Sequence, residues 1–142
     1  MRYPQIIVYE SDGSLAGQVR RLADENSWLV REPRRPESCL ELLADFRPSV
    51  LLLKLEEDLS NGLRLLAEVA KFAPRCSVIL VSDVKMEGSE QRAQLAALAH
   101  DLGASYTLFP PLQQPVIEDL VSGFLTAIIR RTLGSAIEQD DA

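Results

Sequence analysis

Apolar and polar positions follow two patterns along this chain, one typical of buried strands and one typical of helices. Five short runs are almost continuously apolar, as expected for strands that are covered on both faces of a sheet. These runs are Gln5–Tyr9, Trp28–Glu32, Val50–Leu55, Ser77–Ser82 and Ser105–Phe109. Between them, apolar residues recur every three or four positions, which is the spacing of an amphipathic helix. The sequence therefore predicts five strands and five helices in alternation.

Residues that begin and end helices agree with this division. Asp12 or Ser14 can cap the first helix and Ser60 or Asn61 the third, because short polar side chains accept hydrogen bonds from the free N–H groups there. Gly103 follows the fourth helix, where a glycine commonly ends a helix. Five βα units in series predict an α/β protein with a doubly wound, flavodoxin-like (βα)5 fold, a five-stranded parallel sheet between two layers of helices.

The last predicted helix, from about Pro115 to Gly134, is apolar over more than one stripe. One face must pack on the sheet, and the surplus predicts a contact with a partner or with a second copy of the chain. The residues that follow, 135–142, are polar and acidic, and we predict that they are disordered. The expected organisation is one domain over residues 1–134 and a short tail.

Composition narrows the classes of function. The net charge of −6 argues against a nucleic-acid groove, which needs a basic field. No apolar run approaches the roughly 20 residues of a membrane span, and the N-terminus has no cleavage pattern, so we expect a cytoplasmic protein without direct nucleic-acid or membrane contacts. Two cysteines, Cys39 and Cys76, are too few for a metal knuckle, and we predict no metal or cofactor.

Three motifs resemble the receiver domain of bacterial response regulators. "NGLRLLAEV" at Asn61–Val69 resembles the start of the family's third helix, "VILVS" ending at Ser82 resembles its fourth strand, and "LGASYTLFPPL" is similar to its fifth strand and the lysine-proline that follows. Together with the order of elements, the resemblance covers about Gln5 to Arg131. The segment Asp83–Arg92 is several residues longer than is usual in the family.

The resemblance implies a phosphoacceptor aspartate at the end of the third strand, with acids that hold magnesium after the first strand. Here the aspartate position is Lys54, and an ammonium group cannot form an acyl phosphate. The acid pair corresponds to Glu10 and Ser11, with Asp12 adjacent. An alternative alignment, with Glu56 or Asp58 as the acceptor, conflicts with the buried pattern of the strand.

The remaining positions that the resemblance implies are partly kept. Ser82 matches the family's serine or threonine, whereas Pro110 replaces the lysine before the matching Pro111. The aromatic switch position corresponds to Thr107, with Tyr106 next to it. The resemblance also implies a cis proline at Pro110 or Pro111, since the family has one before its last helix. The sequence is thus predicted to be a degenerate receiver, or pseudo-receiver.

For the side chain of Lys54 two arrangements remain open. Its ammonium could pair with Glu10 or Asp12, because neighbouring strands lie about 5 Å apart. Alternatively, it could extend to water. The acids that follow it, Glu56 to Asp58, are interpreted as a solvated loop.

Three functions remain. The first, a non-enzymatic signalling module that acts through protein contacts, is favoured; the others are a phosphorelay receiver with an atypical site and a small-ligand-binding module. For the partner or dimer surface, the last helix offers the following residues: Ile117, Phe124, Ile128, Arg130, Arg131 and Leu133.

Overall fold

The computed structural model describes residues 3–56, 58–82 and 88–140, with side chains as far as residue 134. Strands and helices alternate throughout the described part of the chain. They are β1 (Gln5–Tyr9), α1 (Ser14–Asn26), β2 (Leu29–Arg31), α2 (Pro36–Leu43), β3 (Ser49–Leu55), α3 (Leu59–Phe72), β4 (Ser77–Ser82), α4 (Ser89–Leu102), β5 (Tyr106–Leu108) and α5 (Gln114–Asp140). The predicted order of elements is confirmed.

All five strands are parallel, in the order β2-β1-β3-β4-β5. The chain therefore winds first to one side of β1 and then to the other, which places β1 and β3 at the centre. Two apolar clusters fill the two faces. Helices α1 and α5 cover one face, and α2, α3 and α4 cover the other. This is the predicted flavodoxin-like architecture.

Strand β3 shows how the sequence positions the site. Successive side chains of a strand point to opposite faces. Val50 and Leu52 accordingly join the cluster under α1 and α5, while Leu51, Leu53 and Leu55 join the other. Lys54 belongs to the first row, so its side chain leaves the sheet on the side of α1.

Several predicted boundaries are wrong by a few residues. Helix α3 begins at Leu59, because Asp58 accepts a hydrogen bond from the N–H of Asn61 and so caps the helix earlier than expected. The last helix does not end at Gly134 but continues to Asp140. Of the long segment Asp83–Arg92, residues 83–87 lie outside the described part of the chain.

Two residues of the predicted partner surface lie in the core. Ile117 is fully buried and Ile128 is 5% exposed, both in the cluster between α5 and the sheet. Neither residue therefore lies on the outward face of α5, where the partner surface is predicted. None of the helices in the described residues combines the length and apolarity needed to cross a membrane.

Candidate functional site

The side chain of Lys54 is buried against the start of α1. Only 5% of it is exposed, and its Nζ lies 3.3 Å from both carboxylate oxygens of Asp12 and 3.9 Å from Oε1 of Glu10. Nζ also lies 3.3 Å from the hydroxyl of Ser14, to which it donates. Of the two predicted arrangements for this lysine, the ion pair is the one that forms.

Glu10 caps helix α1. Its Oε1 accepts a hydrogen bond from the N–H of Leu15 and its Oε2 one from the N–H of Ala16, each at 3.0 Å. Its side chain is only 2% exposed. A negative charge is stabilised at the N-terminus of a helix, where the first N–H groups have no partner within the helix. The carboxylate is thus held by the helix on one side and by Lys54 on the other.

Asp12 is the exposed member of the cluster. It accepts hydrogen bonds from the N–H and the hydroxyl of Ser14, at 3.0 and 2.9 Å. These two bonds, followed by the hydrogen bond and charge of Lys54, hold the pKa of Asp12 well below its usual range. Its carboxylate therefore remains ionised beside the lysine across the whole physiological pH range.

The loops on either side of the cluster are tied together by Ser11. Its N–H and hydroxyl both donate to Oε1 of Glu56, at 2.9 Å, and its carbonyl accepts from Nη1 of Arg34 at 3.2 Å. The interpretation of Glu56 as part of a solvated loop does not include this contact, which the sequence does not indicate. Arg34 was missed, because nothing in its local sequence indicates that the loop after β2 reaches the end of β1.

An open cleft of about 1060 Å³ lies over these residues at the carboxyl ends of β1 and β3. Its wall includes four carboxylates: Glu10, Asp12, Glu56 and Asp58. Each of the four accepts a hydrogen bond from the chain itself. All four carboxylates of the cleft are therefore held by donors of the chain.

The other predicted site residues lie at the edge of this arrangement. Ser82 is fully buried at the end of β4, opposite Leu55 in the register. Pro110 and Pro111 follow β5 and are joined by a cis peptide bond. Among the described residues, none of these three lines the cleft. On β5, Thr107 is half-buried and Tyr106 is 45% exposed.

These residues do not fit magnesium, the ion that the resemblance implies. Magnesium needs oxygen ligands in a near-octahedral arrangement. Here the ammonium of Lys54 lies within 4 Å of both acids that follow β1, and both oxygens of Glu10 already accept hydrogen bonds from backbone N–H groups. Among the described residues, no group of three histidine, cysteine, aspartate or glutamate side chains is arranged to hold a metal ion.

Solved structures with the same fold are response-regulator receiver domains. One is the signal receiver domain of a putative LuxO repressor protein from Vibrio parahaemolyticus, with a TM-score of 0.72 and 20% identity over 93% of this chain and 97% of that one. Another is a CheY-like receiver domain protein from Methanospirillum hungatei, with a TM-score of 0.69 and 14% identity over 92% of this chain and 99% of that one.

A third similar structure is NtrX from Brucella abortus, solved with ADP. Its TM-score is 0.69 at 20% identity, and the match covers 96% of this chain but 29% of NtrX. No protein-family model and no curated protein matches the sequence. The chain therefore has the fold of these receiver domains. Because the sequence identity is only 14–20%, the similarity shows the fold alone.

Proposed function

We propose that this chain is a signalling protein of the response-regulator type that works through protein contacts and without phosphoryl transfer. The observation that carries the proposal is the position of Lys54. It occupies the end of β3, and its ammonium lies 3.3 Å from Asp12. In this reading the chain is a pseudo-receiver, is not an enzyme and acts in the cytoplasm.

The chemistry supports this choice. Phosphoryl transfer to a receiver needs a carboxylate nucleophile, a divalent cation and donors for the phosphoryl oxygens. Lys54 supplies a cation in place of the nucleophile. The charge that a metal would neutralise is balanced by that cation, and Pro110 carries neither an ammonium group nor a backbone N–H.

The partner surface would then include the exposed part of α5. Along that helix, Phe124 is half-buried, Leu133 is 45% exposed, and Arg130 and Arg131 are exposed. Aromatic residues and arginine are enriched at protein interfaces. The partner can be a different protein or a second copy of this chain, which would make a homodimer.

Two experiments test the proposal. In the first, the tagged chain is used to capture partners from its own cells, with and without acetyl phosphate and magnesium. We expect the same partner in the same amount under both conditions, whereas capture that depends on the phosphoryl donor would contradict the proposal.

In the second, the contact on α5 is tested by Leu133→Glu and Phe124→Glu, with Val116→Glu as the control. Val116 is 42% exposed at the opposite end of the same helix. We expect the first two variants to lose the captured partner, or to become monomers by light scattering if the partner is a second copy. Capture and mass that are the same in all three variants would reject this surface.

A further inference from the structure

A second cleft, of about 760 Å³, lies at the amino ends of the strands, opposite the cleft that Lys54 lines. It opens where β3 and β4 begin, between the ends of α2 and α3 and the second half of α5. Buried side chains of Leu43 and Ile128 contribute to its floor. Its size is within the roughly 300–1,000 Å³ of typical ligand pockets.

Phe46 lies at the rim of this cleft, with an exposed side chain and an unfavourable backbone conformation. Its side chain is exposed (80% for the residue), and its φ angle of 57° is in the left-handed region. Glycine is preferred there because a Cβ clashes with the backbone. Ser27, the other non-glycine residue with positive φ in the described chain, is a small polar residue that ends a helix. The left-handed backbone closes the turn after α2, where the N–H of Phe46 donates to the carbonyl of Leu43, but this turn does not require an aromatic ring. Backbone strain of this kind clusters at binding sites.

The charge of the cleft is opposite to that of the whole chain. Arg47, Arg75 and Arg131 line it, and none of its described lining residues is acidic, although the net charge of the chain is −6. Arg47 is held by Asp45, with 2.7 Å between Nε and Oδ2. Arg75 and Arg131 are exposed. Guanidinium groups at a rim match carboxylates, with which they can form paired hydrogen bonds.

We propose that this cleft binds an acidic peptide segment of a protein partner, with an apolar side chain of the segment between Phe46 and the floor. Arg75 and Arg131 would contact the carboxylates on either side of it. Nucleic acid is disfavoured as the occupant because the chain as a whole repels phosphates. The inference does not rest on the state of Lys54, which lies at the other edge of the sheet.

Fluorescence anisotropy with a labelled peptide, a single leucine flanked by glutamates, tests the proposal. The comparison peptides carry lysine for glutamate, or serine for leucine. We expect the glutamate-leucine peptide to bind, and Arg75→Glu and Phe46→Gly each to weaken it by about tenfold or more. The controls are Arg64→Glu and Phe72→Ala, which change exposed residues of α3 outside the cleft and should leave the affinity unchanged.

Phe46→Gly separates binding from folding. Glycine relieves the left-handed backbone, so the unfolding temperature should rise while the peptide affinity falls. The proposal is overturned if the glutamate-leucine peptide does not bind, if Arg64→Glu weakens it as much as Arg75→Glu, or if the lysine peptide binds equally well. It is also overturned if labelled DNA binds more tightly than the peptide, or if light scattering shows a dimer that Arg75→Glu dissociates.

Discussion

The ammonium nitrogen of Lys54 lies 3.3 Å from both carboxylate oxygens of Asp12, although the two residues are 42 positions apart in the chain. The lysine comes from the end of a buried strand and the aspartate from the loop after the neighbouring strand. Because Glu10 lies 3.9 Å away on the same side, one cation faces two acids. The contact links the strand β3 to the start of α1.

Removing the charge of Lys54 should destabilise the fold. Lys54→Met keeps the length of the side chain but leaves the buried carboxylate of Glu10 without its cation. We expect a loss of about 2 kcal/mol in the free energy of unfolding, below the 3–5 kcal/mol of a wholly buried pair, because the helix N-terminus still binds Glu10 and Asp12 is exposed. Urea denaturation measures it, and Lys71→Met, at an exposed lysine of α3, is the control. Equal stability of the two variants would show that the ion pair contributes nothing.

Glu10 should stabilise the protein mainly through the backbone of α1. Glu10→Ala removes two hydrogen bonds from N–H groups and the charge near the helix N-terminus, at a cost of about 1–2 kcal/mol. Glu10→Gln keeps one oxygen acceptor and should cost about half as much. Thermal and urea unfolding measure both variants, with Glu41→Gln, an exposed glutamate of α2, as the control. A Glu10→Gln variant as stable as the control would contradict the capping role.

The contact between α3 and β3 should depend on the absence of a side chain at position 62. A Cβ on Gly62 would overlap Cδ2 of Leu55, whereas a Cβ on Gly17, in α1, meets nothing within 4 Å. Gly62→Ala should therefore destabilise the fold by about 1–3 kcal/mol. Gly17→Ala should stabilise it by about 0.5–1 kcal/mol, the usual gain in a helix. If both substitutions change the free energy of unfolding in the same direction, the close approach of α3 to β3 is not as described.

Because the pKa of Asp12 is lowered in the folded chain, part of the free energy of unfolding depends on pH. Its pKa is lower in the folded chain than the value near 3.9 of an unfolded one, so the ionised carboxylate stabilises the fold above that pH, and the contribution is lost as the pH falls. The difference in unfolding free energy between the wild type and Asp12→Asn should be largest at neutral pH and should shrink below about pH 5. Urea denaturation over a pH series measures this difference. A difference that does not change with pH would mean that Asp12 titrates alike in both states.

Much of the fold could be predicted because each element carries its own signal. The apolar run of β3 and the glycine after α4 are local features, and Gly103 indeed ends that helix with a φ of 117°. The burial of Ile117 and Ile128 could not be predicted, since α5 is apolar on several faces and only its packing on the sheet decides which of them is covered. The helical pattern likewise did not show how far α5 continues past Gly134.

The site was predictable in outline and not in its details. The side of the sheet from which Lys54 projects follows from the two-residue period of β3. The contact of Glu56 with Ser11, and that of Arg34 with the Ser11 carbonyl, join loops far apart in the sequence, and no spacing or motif signals them. The basic charge of the second cleft could not be predicted from the sequence either, because its three arginines come from three separate segments. The left-handed backbone of Phe46 likewise has no signal in the sequence.

The central claim is that this chain, although it has the receiver fold, cannot accept a phosphoryl group because Lys54 occupies the phosphoacceptor position. In the direct test, the purified chain is incubated with acetyl phosphate and magnesium, and its intact mass is measured. A variant that carries Ser11→Asp, Lys54→Asp and Pro110→Lys together is treated in the same way for comparison. We expect no added phosphoryl group on the wild type or on Lys54→Asp alone, since the other two positions remain changed. A stable gain of one phosphoryl group on the wild-type chain would contradict the claim.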